Sequence, residues 1–141
     1  MNALKHVTFA AGMALAPLDA GGAEPSDWRA LADERAVIRI ADAIDRAVDA
    51  QDWPLARSYF ADRVTVDFSS LSGQPPSTIA SDELIGTWSA NLRGNKTSLH
   101  LRTNHQVVIA GDGTTVSSNG YAWNRMEGNG DPLWEVWGTY E

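Results

Sequence analysis

Two side chains of this sequence could carry proton-transfer chemistry near a predicted core, His105 and Asp49. His105 lies in a predicted strand from Thr97 to Ala110. The side-chain period of two places it on the same face as the apolar residues Leu99, Leu101, Val107 and Ile109. Because imidazole titrates near neutral pH, an inward His105 is a candidate general acid or base. The alternative is a core histidine that is hydrogen-bonded to a neighbouring group.

Asp49 lies close to the end of a predicted amphipathic helix that begins at Asp33. The helix has one apolar stripe, formed by Val37, Ile40, Ala41, Ile44, Ala47 and Val48. At 100° per residue, Asp49 falls at the edge of that stripe, which predicts a carboxylate at the boundary of the core. The alternative is a solvated residue at the end of a helix, which is the commonest position for aspartate.

The elements that follow predict an α+β fold. Asp52 is suited to cap a second, short helix, and a strand is predicted from Arg63 to Phe68. A polar loop, 69–80, then precedes a third helix that begins at Ser81. Three strands separated by glycine-rich turns complete the chain, with predicted ranges Thr97–Ala110, Thr114–Glu127 and Leu133–Tyr140. The helices in the first half are expected to pack on one side of an antiparallel sheet.

Four local motifs occur in an order and spacing that resemble a known family. They are Asp49-x-x-Asp52-Trp53, the Phe-Ala-Asp-x-x-x-x-Asp-Phe segment ending at Phe68, Thr103-Asn104-His105, and Ala122-Trp123-Asn124-Arg125. Together they resemble the SnoaL-like and scytalone-dehydratase-like domains of the nuclear-transport-factor-2-like superfamily. The resemblance implies a cone-like curved antiparallel sheet packed with three helices around an apolar pocket. Family members usually continue into one more strand, so we expect the sequence to end before it.

The resemblance also implies a catalytic pair. Asp49 matches the family acid and His105 matches a family histidine, so the carboxylate would orient the imidazole in a shared pocket. Phe68, Trp88, Asn124 and Val48 would line that pocket and contact the substrate. The sequence departs from the pattern because Val48 and Phe68 replace tyrosines and Asn124 replaces a second histidine. In the related ketosteroid-isomerase pattern Asp67 is one residue from the base and faces away from the predicted core.

These features favour a cofactor-free acid–base enzyme, a dehydratase or isomerase that acts on a small, largely apolar cyclic molecule. The alternative is a non-catalytic ligand-binding or dimerisation module of the same fold. The enzyme hypothesis requires that the Asp49 carboxylate meets the His105 ring. If Asn124 faces the pocket, Tyr121 and Trp123 face outward, which predicts a homodimer through the outer face of the sheet.

Composition limits the other partners. The net charge of −7 argues against a nucleic-acid backbone as a partner. The absence of cysteine excludes disulfides and thiolate chemistry. No histidine spacing indicates a metal site, because His100 and His105 fall on opposite faces of the predicted strand.

The chain is expected to hold one domain, 33–141, after a lead-in, 24–32. Residues 1–23 have the shape of a signal peptide, with Lys5 before a short apolar run and small residues at Gly21-Gly22-Ala23. The alternative is a disordered leader. A cleaved signal peptide would make the protein periplasmic or secreted, and otherwise we expect a cytoplasmic protein. The sequence contains no predicted membrane span.

Overall fold

The computed structural model describes residues 25–92, 96–111, 113–126 and 132–141. The predicted leader, 1–23, lies outside the described residues. Within them, the first half of the chain is mainly helical and the second half is a meander of strands. The elements in chain order are α1 (Pro25–Asp49), α2 (Trp53–Ser58), β1 (Arg63–Val66), α3 (Ser69–Ser72), β2 (Ser77–Ala80), α4 (Ser81–Asn91), β3 (Thr97–Ala110), β4 (Gly113–Arg125) and β5 (Leu133–Tyr140).

The strands of the described residues form two antiparallel sheets. β1 pairs with β2, and β3, β4 and β5 form a second sheet in that order. The predicted α+β class is therefore confirmed, with helices before a sheet of hairpin-connected strands. α1 lies mainly against β3 and also contacts β4, so this long helix covers part of one face of the three-stranded sheet.

The first helix begins at Pro25 instead of Asp33, so the predicted lead-in is helical from Pro25 onward. The good helix formers that precede Asp33, among them Ala30, Leu31 and Ala32, allow this extension. Gln51 then adopts a left-handed conformation (φ 56°), which reverses the chain. Asp52 caps α2 as predicted, because its carboxylate accepts a hydrogen bond from the Leu55 N–H at 3.1 Å.

The predicted polar loop, 69–80, contains two short elements. Strand β1 ends at Val66 because the Asp67 carboxylate turns the chain by accepting a hydrogen bond from the Ser69 N–H at 2.8 Å. α3 follows and ends at Gly73, whose φ of 71° suits glycine. β2 then pairs along β1, which satisfies backbone groups that a loop would leave to water.

A small apolar core lies between α1, α2 and α4. Its buried members are Ala47, Val48, Ala56 and Ile85. Partly buried aromatic rings enclose them, and Phe60 and Trp88 meet edge to face at 5.8 Å and 72°. This core holds the carboxyl end of α1 in place and thereby positions Asp49 against β3. No helix among the described residues is long and apolar enough to cross a membrane.

Candidate functional site

Three aspartates of α1 form one acidic row. Asp42, Asp45 and Asp49 are spaced three and four residues apart, so they share one side of the helix. Each of them contacts a different basic side chain of β3. The helix and the strand therefore meet through three charged or titratable pairs instead of an apolar seam.

The inward face of β3 is the opposite of the predicted one. His100 and Arg102 face α1, whereas Leu99 and Leu101 are 39% and 54% exposed. Alternation along the strand sorts its residues into two faces, but it does not say which face is buried. The prediction assumed that the apolar face is the buried one, and that assumption was wrong. Exposed leucines are common enough that apolarity alone does not identify the buried face of a strand.

A β-bulge places His105 on this same inward face. The register with β4 shifts between Thr103 and Gln106, and Asn104 adopts a left-handed conformation with φ 54°. One extra residue in a strand moves every later side chain to the other face. His105 is therefore inward as predicted, but it shares its face with His100 and Arg102 and not with Leu99 and Leu101.

Asp49 and His100 form a closely bonded dyad. The His100 Nδ1 lies 2.6 Å from Asp49 Oδ1, and the His100 backbone N–H donates to Asp49 Oδ2 at 2.8 Å. The Ser98 hydroxyl also donates to Asp49 Oδ1, at 2.7 Å. Because three bonds hold the carboxylate from one strand, the orientation of the imidazole is fixed. Both side chains are about one-fifth exposed, so solvent or a ligand can reach the site.

The predicted partner of Asp49 is therefore wrong, since the structure pairs Asp49 with His100 and not with His105. His105 lies beside Asp42, with Nε2 3.2 Å from Oδ1. Seven residues of helix separate Asp42 from Asp49, a rise of about 10 Å at 1.5 Å per residue. The bulge and the reversed face of β3 together explain the exchange of histidines.

The middle pair of the row is an ion pair with an aromatic neighbour. Arg102 donates to both oxygens of Asp45, from Nε at 2.6 Å and from Nη2 at 3.0 Å. The guanidinium also lies 4.9 Å from the centre of the Tyr140 ring. Burial and then the Asp45 charge raise the pKa of the Tyr140 phenol, although Arg102 opposes the shift.

Gly120 makes room for that ring, because a Cβ at this position would overlap the Tyr140 side chain. Gly120→Ala should therefore displace Tyr140 from Arg102 and lower the free energy of unfolding by about 1–2 kcal/mol, measured by urea denaturation. Gly138→Ala is the matched control, since Gly138 pairs with Gly120 and a Cβ there has no neighbour within 4 Å. The steric explanation predicts that Tyr140→Ala removes the cost of Gly120→Ala, and a cost that persists in that background would contradict it.

The other predicted site residues lie in three places. Asn124 is buried and pairs across the ladder with Ser98, which puts it beside the dyad. Val48 belongs to the helical core, and Trp88 packs against that core. Phe68 is 47% exposed and precedes α3. Asn124 is thus the predicted contact residue that the register places opposite Ser98, whose hydroxyl donates to the Asp49 carboxylate.

Sequence reasoning missed His100, and one signal could have identified it. Asp42, Asp45 and Asp49 form a helical row of acids, and His100 and Arg102 alternate on a strand with matching polarity. A row of carboxylates on the covered side of a helix requires donors opposite it, because an unpaired buried charge is costly. This complementarity favours the polar face of β3 as the face that meets α1.

The arrangement has the chemistry of proton transfer. A carboxylate orients one ring nitrogen, and the opposite edge of the His100 ring has no hydrogen-bond partner among the described residues. An imidazole held in this way can accept and return a proton. No cluster of three or more metal-ligating side chains is found in the part of the chain that the structure describes.

Solved structures share this fold. The Kfla4162 protein from Kribbella flavida is 26% identical, with a TM-score of 0.70 over 78% of each chain. A candidate scytalone dehydratase from Novosphingobium aromaticivorans is 17% identical, with a TM-score of 0.67 over 82% of this chain and 74% of that one. The β subunit of benzoate 1,2-dioxygenase from Burkholderia mallei is 13% identical, with a TM-score of 0.56 over 82% and 76% of the two chains.

A comparison with curated proteins found no match. The family model described as the SnoaL-like domain matches residues 29–141, which is most of the chain and includes the dyad, the bulge and all three strands of the larger sheet. The order of helices and strands agrees with this assignment, as do the solved structures of the same nuclear-transport-factor-2-like fold. The chain therefore belongs to the family of SnoaL-like domains.

Proposed function

We propose that this protein is an acid–base enzyme of the dehydratase or isomerase type that acts on a small, largely apolar cyclic molecule and needs no cofactor. The observation that carries the proposal is the Asp49–His100 pair, in which a carboxylate and a backbone contact orient one imidazole. A candidate scytalone dehydratase shares the fold of this chain.

His100 acts as the base in this proposal, and Asp49 orients it. Because a carboxylate only accepts hydrogen bonds, a neutral His100 carries its proton on Nδ1 and presents the Nε2 lone pair to the substrate. Asp49 then stabilises the imidazolium that forms when Nε2 takes a proton.

The reaction that fits is a proton abstraction beside a carbonyl group. Nε2 removes the proton, and the electron pair of the broken C–H bond forms a C=C bond. In dehydration a neighbouring C–O bond breaks, and the leaving hydroxyl takes the proton from the imidazolium to depart as water. In isomerisation of an unsaturated ketone the carbonyl π pair moves onto the oxygen, which gives a dienolate. When the oxyanion re-forms the C=O bond, the conjugated C=C pair shifts and the far carbon takes the proton from the imidazolium. The side chain of Asn124, next to Ser98 in the ladder, can donate to the developing oxyanion.

The experiment is a screen of cyclic hydroxyketones in deuterated water, followed by NMR. The wild-type protein should accelerate deuterium exchange beside the carbonyl, loss of water, or both. Exchange at the rate of the buffer alone, for every compound that binds, would support the alternative of a non-catalytic ligand-binding module.

The β subunit of benzoate 1,2-dioxygenase has the same fold, so this fold also occurs in a subunit of a larger enzyme.

We also propose that two copies associate through the outer face of the larger sheet. Leu101, Tyr121 and Trp137 form one cross-strand row on this face, and Leu99 and Trp123 form part of the next. Trp137 is 74% exposed and Leu101 is 54% exposed. The carboxylate of Glu135 completes the second row and accepts a hydrogen bond from the Tyr121 hydroxyl, so the patch is largely apolar with one charged group. A largely apolar patch of this kind is typical of an interaction surface, and aromatic residues are enriched in the centres of interfaces.

Trp137→Lys should therefore convert a dimer into a monomer, because it places a charge within that apolar patch. Sedimentation velocity measures the change in mass directly. Trp28→Lys is the matched control, since Trp28 is 64% exposed on α1, which covers the opposite face of the sheet. A wild-type protein that stays monomeric at high micromolar concentration would contradict the proposal, as would a Trp137→Lys variant that stays dimeric.

A further inference from the structure

A row of side chains leads from the Asp49–His100 dyad to an exposed tryptophan on the same face of the sheet. In the ladder, Ser98 pairs with Asn124 and Asn124 pairs with Trp134. Residues that stand directly opposite each other in a ladder project from one face of the sheet. Trp134 therefore lies on the face that meets Asp49, two strands away from Ser98.

Exposure rises along this row. Asn124 is 7% exposed, whereas Trp134 is 51% exposed. α1 lies mainly against β3, so the inward side of β5 is less covered than that of β3. Further along the same face the Tyr140 ring lies over Gly120 and against Arg102, which closes that end. The face therefore opens beside Asn124, at Trp134.

Two polar groups next to this opening have no hydrogen-bond partner among the described residues. One is the side-chain amide of Asn124, and the other is the edge of the His100 ring opposite Nδ1. Neither group is fully enclosed, because the enclosed polar atoms without a partner belong to His105 and Ser118. An amide on a residue that is more than nine-tenths buried is nearly always hydrogen-bonded. A ligand oxygen at this position supplies the bond that Asn124 lacks.

The register brings the two unpartnered groups within reach of one small molecule. His100 stands opposite Ala122, so Asn124 is its diagonal neighbour on the next strand. Diagonal neighbours on one face have Cβ atoms about 7–8 Å apart. A molecule whose oxygen bonds to Asn124 can therefore place a neighbouring carbon near His100. The rest of that molecule then extends towards Trp134, which is one strand spacing of about 4.8 Å beyond Asn124.

We propose that Trp134 is the specificity-determining residue of this site, and that its indole stacks on a planar ring of the substrate while Asn124 holds the substrate oxygen. This inference rests on the proposed function, because it places the reacting carbon at His100. Aromatic rings pair in offset-stacked or edge-to-face geometries that a saturated ring cannot reproduce. The site thus selects a flat, conjugated ring over a puckered, saturated ring of similar size.

The test compares two probes, 2-naphthol and its saturated counterpart 2-decalol, by NMR titration. Both probes carry one hydroxyl group on a two-ring skeleton, and only 2-naphthol is flat. The wild-type protein should bind 2-naphthol about 2–10-fold more tightly, the usual gain from an aromatic pair. Trp134→Leu should remove this preference, and Trp134→Phe should keep most of it. Trp28→Leu, at a tryptophan of α1 that is 64% exposed, is the matched control and should keep all of it.

The indole N–H resonances give a second readout, which shows where the probe binds. Each resonance is assigned from the variant that lacks the tryptophan. The Trp134 resonance should move when 2-naphthol is added, whereas those of Trp28 and of Trp137, on the outer face, should stay in place. Movement at Trp137 instead of Trp134 would overturn the inference.

Three results of the titration would also overturn the role of Trp134. They are equal affinities of the wild-type protein for the two probes, a preference that survives Trp134→Leu, and failure of both probes to bind. All of these results concern binding at equilibrium, so they are distinct from a failure of turnover at His100. A protein that shows the expected preference without turnover would retain Trp134 as the binding residue and contradict only the proposed reaction.

Discussion

His100→Ala should lower turnover by about 10²–10⁴-fold, the usual contribution of a positioned general base. The loss should appear mainly in kcat, because His100 moves the proton and contributes little to the binding of an apolar molecule. Asp49→Asn should lower kcat as well, since an amide no longer stabilises the imidazolium. Circular dichroism must show that each variant keeps the native fold.

Two comparisons make this prediction specific. Asp62→Asn is the matched control for Asp49→Asn, because it makes the same change at a fully exposed carboxylate. His105→Ala tests the residue that the sequence favoured. A larger loss of kcat at His105 than at His100 would contradict the assignment and restore His105 as the base.

Arg102→Met should lower the free energy of unfolding by about 2–3 kcal/mol, because it leaves the Asp45 carboxylate without a partner in a largely buried position. Removing one member of a fully buried pair costs about 3–5 kcal/mol, and the partial exposure of this pair reduces that cost. The melting temperature should fall by roughly 10 °C. Urea denaturation and calorimetry measure the two quantities.

The double variant Asp45→Leu with Arg102→Met separates the charge from the contact. Replacing both members by apolar groups removes the uncompensated charge, so most of the lost stability should return. The ion pair of Arg57 with exposed Asp82 is the surface control, and Asp82→Asn should change the melting temperature far less. A double variant that is less stable than Arg102→Met would contradict the electrostatic explanation.

These predictions follow from the acidic row of α1 and the basic side chains of β3 that it contacts. The pattern of apolar residues did not reveal these contacts. Asp49 was identified from its place at the edge of the helical stripe, and the structure keeps it at the boundary of the core. Asn124 was expected to face the pocket, and the register places it beside Ser98. Val48 and Phe68 stand where the family resemblance implied tyrosines. Tyr140 nevertheless brings a phenol to the covered face of the sheet, where its ring contacts Arg102.

The element order could be predicted from sequence because it depends on local properties. Helical periodicity, an aspartate that caps α2, and glycines between alternating strands are all encoded within a few residues. Strands β3 and β5 have the predicted bounds, Thr97–Ala110 and Leu133–Tyr140. The short elements α3 and β2 were missed, because a four-residue strand is stable only when β1 pairs with it.

Tertiary structure alone decided which histidine meets Asp49. The period of two divides a strand into two faces, but the partner that covers the sheet determines which face is inward. Here the partner is an acidic row on α1, so the basic face of β3 is covered and Leu99 and Leu101 are exposed. A bulge at Asn104 then shifts the register by one residue and brings His105 to that covered face. The sequence determined the acid and the strand, and the packing of helix on sheet determined that His100 is its partner.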